Sequence, residues 1–417
     1  MFKSHAQSAG SARSWRRPSR IRPHLLAGLA TLCFVLGICP TAGAYPWLLR
    51  HGYTNCSACH VDPSGSGVLT EYGRAVAEEV LRTRYPGEGA ADGDGSAPVS
   101  RFLWGAVPLP ASLMLGGDLR LLHLRQKVES APALSRNLLM QADVEGALQI
   151  RQFVASASLG YAHEGSLGAT LTRAPEHNLV SRTHWAGVTL ADGAWMLRGG
   201  RMNLPFGLRV VEHTLWARRY TSTDINDKQQ HGLSVAFLGQ RLRSELMLIA
   251  GNFAIRPDVY RERGYSAYID WLPVEKLSLG VSSLITHRDL HPSYLRPTWK
   301  HAHGVFARWA TNWEPLVLMT ELNYSLESPK YDQRREGLVG FLQADLEAAP
   351  GVHLMATAEA HTVGVDGPPA SWGTWLSYAW FFAPHADLRV DMIYQSLGSS
   401  YGRLEAITLL LQTHLYL

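Results

Sequence analysis

From about Leu113 to Leu417 the chain consists of short runs of alternating apolar and polar residues, which constrain its fold more than any other feature. In one run the apolar or small residues Val352, Leu354, Ala356, Ala358 and Ala360 alternate with His353, Thr357, Glu359 and His361. In another, Leu138, Met140, Ala142, Val144, Gly146, Leu148 and Ile150 form one face, opposite Gln141, Asp143, Glu145 and Gln149. Successive side chains of a strand point to opposite faces. Such dyad repeats are typical of transmembrane β-strands with lipid outside and water inside.

The number and spacing of the runs predict a closed barrel. About sixteen runs begin near residues 113, 137, 152, 180, 194, 231, 241, 263, 275, 299, 314, 335, 351, 371, 386 and 402, and bacterial barrels require an even number. Short connections such as 191–193 and 239–240 alternate with long ones such as 164–179 and 326–334. In a soluble β-sandwich, short and long connections are not expected to alternate in this way. We therefore predict that residues 111–417 form an all-β fold, an antiparallel transmembrane β-barrel of about 16 strands, with short periplasmic turns and long external loops.

The N-terminus has the pattern of a secretory signal peptide. Six basic residues precede an apolar run from Leu25 to Ile38, and the small residues Ala42 and Ala44 follow it. The run is too short to span a membrane, so we predict that residues 1–44 are removed. Removal changes the formal charge from +4 to about −2, because 33 basic residues then face 35 acidic ones. Nucleic acid is therefore not an expected partner.

The sequence Cys56-Ser57-Ala58-Cys59-His60 matches the pattern Cys-x-x-Cys-His, which covalent attachment of a c-type haem requires. Cys56 and Cys59 would form the two thioether bonds with one porphyrin, and His60 would bind the iron from one face. A disulfide pair and a redox Cys-x-x-Cys are the alternatives. Neither needs the histidine, and no βαβ pattern surrounds the motif. The motif therefore predicts one covalent haem c.

We assign residues 45–85 to a small helical domain that carries this haem, and residues 86–110 to a linker rich in glycine and small polar residues. Apolar or small residues recur at helical spacing from Leu69 to Leu81, which predicts one amphipathic helix. A single helix with a narrow apolar stripe cannot form a core by itself. We expect the haem, together with the barrel wall, to pack against it.

The second ligand of the haem iron is the least determined part of this site. No methionine lies between the predicted cleavage site and Met114, so a methionine from this domain is excluded. His51, five residues before Cys56, is the favoured candidate because it is the only other histidine of the domain. The alternative is that His51 is solvated and that a barrel residue or water occupies the position.

The longest connection, about 202–230, lies between the fifth and sixth runs. The third external loop of sixteen-stranded porins folds inward and narrows the pore, and this segment has the same place in the strand order. In that case its charged residues would line a constriction: Arg209, Glu212, His213, Arg218, Arg219 and Asp224. A solvated outer loop is an equally weighted alternative.

A signal peptide, one Cys56-x-x-Cys59-His60 motif, a short helix and a barrel in one chain resemble the fused outer-membrane cytochrome-porins, a family that includes bacterial Fe(II) oxidases. The resemblance implies a location in the bacterial outer membrane, with the haem domain on the periplasmic side or inside the barrel mouth. It also implies electron exchange across this membrane, in some members from extracellular iron.

Two classes of function follow from these features. In the first, one haem relays single electrons between an extracellular donor or acceptor and a periplasmic cytochrome or other electron carrier. In the second, the chain is a porin-like diffusion channel whose haem domain is a plug or sensor. The first is preferred because covalent haem needs dedicated maturation, which a plain pore does not. A haem enzyme would need an open distal site and an acid–base pair, and the sequence identifies neither.

Overall fold

The computed structural model describes residues 46–85, 102–129, 131–161, 179–212, 214–364 and 367–417. The predicted signal peptide, residues 86–101 of the predicted linker, loop residues 164–178 and His213 lie outside the described residues. The later part of the predicted linker contains a short 3-10 helix, Phe102–Gly105.

Sixteen antiparallel strands follow. They are β1 Leu113–Val128, β2 Leu134–Ile150, β3 Phe153–Tyr161, β4 in two segments Leu179–Val180 and His184–Leu190, β5 Trp195–Met202, β6 Gln230–Leu238, β7 Leu242–Gly251, β8 Arg263–Val274, β9 Leu277–Arg288, β10 Thr298–Ala310, β11 Leu316–Pro329, β12 Arg335–Ala349, β13 Val352–His361, β14 Ser371–Ala383, β15 Ala386–Ser399 and β16 Gly402–Tyr416. The two segments of β4 both pair with β3, so they count as one interrupted strand.

The sheet closes on itself. Each strand pairs with its neighbours in sequence, and β1 pairs with β16 over an eleven-residue register from Asp118↔Tyr416 to Val128↔Ala406. Closure satisfies the backbone hydrogen bonds at what would otherwise be two sheet edges, as a membrane requires. The predicted closed antiparallel barrel of about sixteen strands is therefore confirmed.

Side-chain exposure follows the predicted alternation along most strands. In β13, His353, Thr357 and Glu359 are buried toward the lumen, whereas Leu354 faces outward and is exposed. In β2 the prediction is partly wrong. The β1–β2 register shifts between Arg120 and Leu121, opposite Met140, and a β-bulge of this kind reverses the facing of the residues beyond it. Leu138 consequently packs against an apolar cluster in the lumen instead of sharing the face of Val144.

The connections are sorted between the two barrel ends. One end has only tight turns: 151–152, 191–194, 239–241, 275–276, 311–315, 350–351 and 384–385. The other end has the longer loops 203–229, 252–262, 289–297 and 362–370, although three of its connections, 129–133, 330–334 and 400–401, are also short. The predicted long connection 326–334 is therefore wrong in length, because β11 continues to Pro329. These two ends are called the short-turn end and the long-loop end below.

The N-terminal part is helical, as predicted. It comprises the 3-10 helix Pro46–His51, helix α1 Cys56–Cys59, and helix α2 Glu71–Val76, which continues as a π turn Ala77–Leu81. Loop 203–229 contains helix α3 Trp216–Thr221, and loop 252–262 contains a 3-10 turn Asp258–Tyr260. Within the described ranges, every helix is too short and too polar to cross a membrane.

This topology makes a prediction about accessibility in intact cells. Consecutive connections emerge at opposite ends of the barrel, and in outer-membrane barrels the short turns are periplasmic. An epitope tag inserted at 330–334 should bind antibody on intact cells, and the same tag at 239–241 should bind only after permeabilisation. The reverse labelling would contradict the assigned orientation.

Candidate functional site

The N-terminal domain, residues 46–85, lies inside the barrel at its short-turn end. The guanidinium of Arg50 forms an ion pair with the lumen-facing carboxylate of Asp345 and donates to the carbonyl oxygen of Pro315, in a short turn. Further along, the backbone N–H of Thr83 donates to the carbonyl oxygen of Phe381 at 2.9 Å. The Thr83 hydroxyl donates to the carbonyl oxygen of Pro350 at 3.1 Å. Contacts with two different short turns therefore fix the domain at this mouth.

Local hydrogen bonds fix the conformation of the Cys-x-x-Cys-His segment. The Asn55 side chain caps helix α1 by accepting from Ser57 N at 3.1 Å. The carbonyl oxygen of Cys59 accepts from Thr70 N at 2.9 Å, and Thr70 in turn caps helix α2. At Gly73 the helix packs so closely on Cys59 that any Cβ would collide with the Cys59 carbonyl group. The motif and the predicted helix thus form one packed unit.

Cys56, Cys59 and His60 line the same cavity, which has a volume of about 170 Å³ and is partly open to the lumen. Small-molecule sites typically measure roughly 300–1,000 Å³, so a porphyrin-sized group would extend from this cavity into the adjoining lumen. The apolar part of the wall comes from the domain itself, the barrel and loop 203–229: Leu48, Leu69, Val76, Leu81, Phe381, Val211 and Ile225. The three predicted haem-attachment residues are therefore brought together at one cavity.

Burial changes the protonation behaviour of Cys59 and His60. It raises the pKa of the Cys59 thiol to about 11, so this thiol is not a reactive thiolate. Cys56 and Cys59 are not joined by a disulfide. Burial lowers the pKa of His60, which keeps the imidazole in the neutral form that binds metals. Its Nδ1 lies 3.3 Å from the carbonyl oxygen of Gly67, so Nε2 remains as the ligating nitrogen.

Two arginines in the cavity wall have buried atoms without a hydrogen-bond partner. They are Arg209, from loop 203–229, and Arg120, from β1; in both, Nε is buried and unpaired. A buried unpaired donor costs about 1–3 kcal/mol, so such atoms normally have a partner. A haem carries two propionate carboxylates, which are acceptors of the matching charge. The residues present therefore fit this cofactor.

Loop 203–229 folds into the lumen, which favours the constriction over the solvated outer loop. Leu208 N donates to Glu321 at 2.7 Å, and Trp216 N donates to Glu359 at 2.8 Å. Arg218 is buried in an ion pair with Glu321. Of the other predicted constriction residues, Arg209 and Glu212 are also held in the lumen by charged partners, whereas Arg219 is exposed.

Apolar side chains fill part of the lumen. A single cluster joins Leu48 and Leu49 of the N-terminal domain to Leu208, Leu215 and Trp216 of the loop. The barrel wall contributes its inward side chains to the same cluster: Phe306, Val317, Met319, Val339, Phe341, Trp375, Phe381, Ile393 and Leu410. This part of the lumen is a packed core.

A second, larger cavity of about 870 Å³ lies along β1, β2 and β13 to β16, beside members of the same apolar cluster such as Trp375 and Leu410. Its wall carries charges of both signs: Arg120, Arg136, Arg182, Arg389, Glu212, Asp224, Asp227, Asp387 and Asp391. Arg120, Gln141, Arg182, Asp387 and His414 line both cavities. A solute in the charged cavity would therefore reach the wall of the cavity that contains the cysteines.

The structure does not bring His51 to this site. His51 ends the 3-10 helix, its Nε2 lies 2.9 Å from Glu347 Oε2, and it is not among the described residues that line the cysteine cavity. Its role as an iron ligand stays a prediction without geometric support.

Sequence reasoning missed the charged residues that hold the motif's loop. Asp62, two residues after His60, pairs with Arg198 of β5 at 2.9 Å. Arg198 also pairs with Glu245 of β7, which accepts from Arg209 at 3.2 Å. Strand alternation predicts that Arg198 and Glu245 face inward, but only the barrel register places them beside Asp62.

Comparison with solved structures supports the barrel assignment. A loop L8 deletion mutant of OmpT, an outer membrane protein of Vibrio cholerae, matches with a TM-score of 0.56 at 10% identity, covering 73% of this chain and 99% of that one. The anion-selective porin from Comamonas acidovorans matches with the same TM-score, identity and coverage. The outer membrane channel DcaP of Acinetobacter baumannii gives a TM-score of 0.53 at 10% identity, with 73% and 97% covered. This is a porin-like barrel. No family model and no curated protein matches the chain.

The docking of the N-terminal domain can be tested through Arg50. Arg50→Ala leaves the buried Asp345 carboxylate without its guanidinium partner, which should weaken docking by about 3 kcal/mol. We expect limited proteolysis of the purified protein to release the domain faster while the barrel band remains intact. Arg84→Ala is the matched control, because the Arg84–Glu79 pair is exposed and lies within the domain. Equal cleavage rates for the two variants would contradict the assigned docking contact.

Proposed function

We propose that the chain is an outer-membrane cytochrome-porin that relays single electrons through one covalent haem c. The relay would connect an extracellular donor or acceptor, such as iron, with a periplasmic cytochrome or other electron carrier. The supporting observation is that Cys56, Cys59 and His60 line a cavity enclosed by the barrel wall and the inward loop. A haem bound there would supply one-electron chemistry at its iron.

Each part of the cavity has a role in holding this group. Cys56 and Cys59 would form the thioether bonds, and neutral His60 would bind the iron through Nε2. Arg120 and Arg209 would bind the propionates through their unpaired donors. The apolar wall limits access of water, which tunes the potential of a buried redox group.

The position of the cavity suits a relay between two compartments. By the usual orientation of outer-membrane barrels, the short-turn end faces the periplasm, where a protein carrier could dock. The charged cavity extends to Leu124, Arg136 and Asn137, nearer the long-loop end of β1 and β2. A small soluble donor or acceptor would approach the haem cavity through it from outside. No further protein cofactor is needed for this route.

The same charged cavity also favours the second candidate function, a diffusion channel with the haem domain as a plug or sensor. Charged lumen walls on a porin-like barrel are what solute channels use. The two functions differ in what removal of the haem should do. A relay loses its activity, whereas a channel keeps its conductance.

We expect the double variant Cys56→Ala, Cys59→Ala to lose covalently bound haem, because no other described cysteine can form a thioether bond. Haem staining of a denaturing gel should be positive for the native chain and negative for the variant, while both insert into membranes. Ser57→Ala, within the same helix, is the control and should retain the stain. Stain that persists in the double variant would contradict the haem assignment.

Proteoliposomes separate the two functions. With an impermeant reductant outside and an oxidised soluble c-type cytochrome inside, the native protein should reduce the internal cytochrome, and the double cysteine variant should not. Solute-driven liposome swelling measures conductance in the same preparations. Haem-independent swelling with no electron transfer would support the channel and refute the relay.

A further inference from the structure

The cavity that contains the cysteines has a second histidine in its wall. His414 lies near the end of the closing strand β16 and points inward, opposite the lipid-facing Leu415. Among the described residues that line this cavity, His60 and His414 are the two histidines, and methionine and lysine are absent. These two imidazoles are therefore the nitrogen ligands that the described wall offers to an iron.

The bonding of His414 is that of a preorganised metal ligand. Its Nδ1 lies 2.8 Å from Asp387 Oδ2, on the neighbouring strand β15. Histidines that bind metals usually donate their other ring N–H to a carboxylate or a carbonyl group, which fixes the ring orientation. His60 has the matching arrangement, since its Nδ1 lies next to the Gly67 carbonyl oxygen. In each ring Nδ1 is anchored, so Nε2 is the nitrogen that would bind the iron, in His414 by exchange for its contact with Asp118.

Nε2 of His414 lies 2.6 Å from Asp118 Oδ1, a contact that iron binding would replace. Asp118 has a second partner, because Arg120 on the same strand lies 3.4 Å from the same oxygen. Arg120 also has a buried, unpaired Nε. Release of His414 would therefore leave the Asp118 carboxylate paired.

We propose that His414, and not His51, is the second protein ligand of the haem iron. The inference rests on the proposed covalent haem, with His60 as the first ligand. It assigns a residue near the C-terminus to a site whose other ligands lie in the N-terminal domain. The haem would thereby connect the domain to the closing strand of the barrel.

The test is the spin state of the iron in the purified, full-length holoprotein. The native spectrum should be six-coordinate and low-spin. His414→Ala should convert it to a high-spin spectrum and allow carbon monoxide to bind the reduced iron. His51→Ala and Glu145→Gln are the controls; Glu145 lines the same cavity, and both variants should remain low-spin. Haem staining and membrane insertion of each variant verify that the holoprotein has formed.

Two variants keep the test decisive if His414→Ala does not assemble. His414→Met should retain a low-spin iron with a higher midpoint potential, because methionine ligation raises the potential. Asp387→Asn should remain low-spin, because it changes the partner of Nδ1 and not the ligand itself. A structural role for His414 alone would not give His414→Met a low-spin iron with a raised potential.

Three results would overturn the inference: a high-spin native iron, a low-spin spectrum in His414→Ala, or loss of the low-spin spectrum in His51→Ala. Absence of covalent haem from the native chain is a different result, since it refutes the proposed function itself. If His414→Ala retains haem staining and its spectrum is unchanged, the result refutes only the assignment of His414.

Discussion

One buried charge network holds the short-turn end of the molecule together. Arg198 of the barrel wall pairs with Asp62 in the loop after the Cys-x-x-Cys-His motif and with Glu245 of another strand. Arg209, from the inward loop, donates to the same Glu245 and to the carbonyl oxygen of Pro63. Two cations and two anions are thus buried together, and removal of one would leave another uncompensated, at a cost of about 3–5 kcal/mol. Domain, loop and wall are therefore fixed relative to one another.

This connection explains why apolar side chains collect around the domain and the loop. The loop is drawn toward the N-terminal domain, so its apolar residues Leu208, Leu215 and Trp216 pack with the domain and with one side of the wall. The larger cavity has charged residues in its wall beside apolar members of this cluster, such as Trp375 and Leu410. For the proposed electron relay this arrangement would be useful, because apolar side chains would surround the haem while charged ones line a route for a small donor or acceptor.

Local pattern allowed prediction of most strands and of closure. Alternation located the strands, and the even number of runs, with connections sorted by length, predicted a closed barrel, because a membrane permits only internally bonded sheets. The pattern failed at Met140, where a β-bulge reverses the facing of Leu138, since the extra residue is indistinguishable in sequence from a regular strand. The Cys56-x-x-Cys59-His60 motif could be recognised because its residues are close together in sequence, and the structure places all three at one cavity.

Contacts between residues that are distant in sequence could not be predicted from the sequence. His51 is near Cys56 in the chain, yet the 3-10 helix directs it to Glu347. His414 is at the other end of the chain, yet closure of the barrel brings it to the cavity. The Arg198–Asp62 pair likewise depends on how deeply the domain enters the barrel, which no local pattern encodes.

The central claim is that a single haem is covalently attached within the barrel mouth. Intact-mass spectrometry of the purified mature protein, after acid extraction of any loosely bound haem, tests it most directly. We predict a chain that begins at Tyr45 and carries the added mass of one haem, located by peptide mapping to the segment with Cys56 and Cys59. A mass equal to that of the bare polypeptide, with both thiols open to alkylation, would contradict the account.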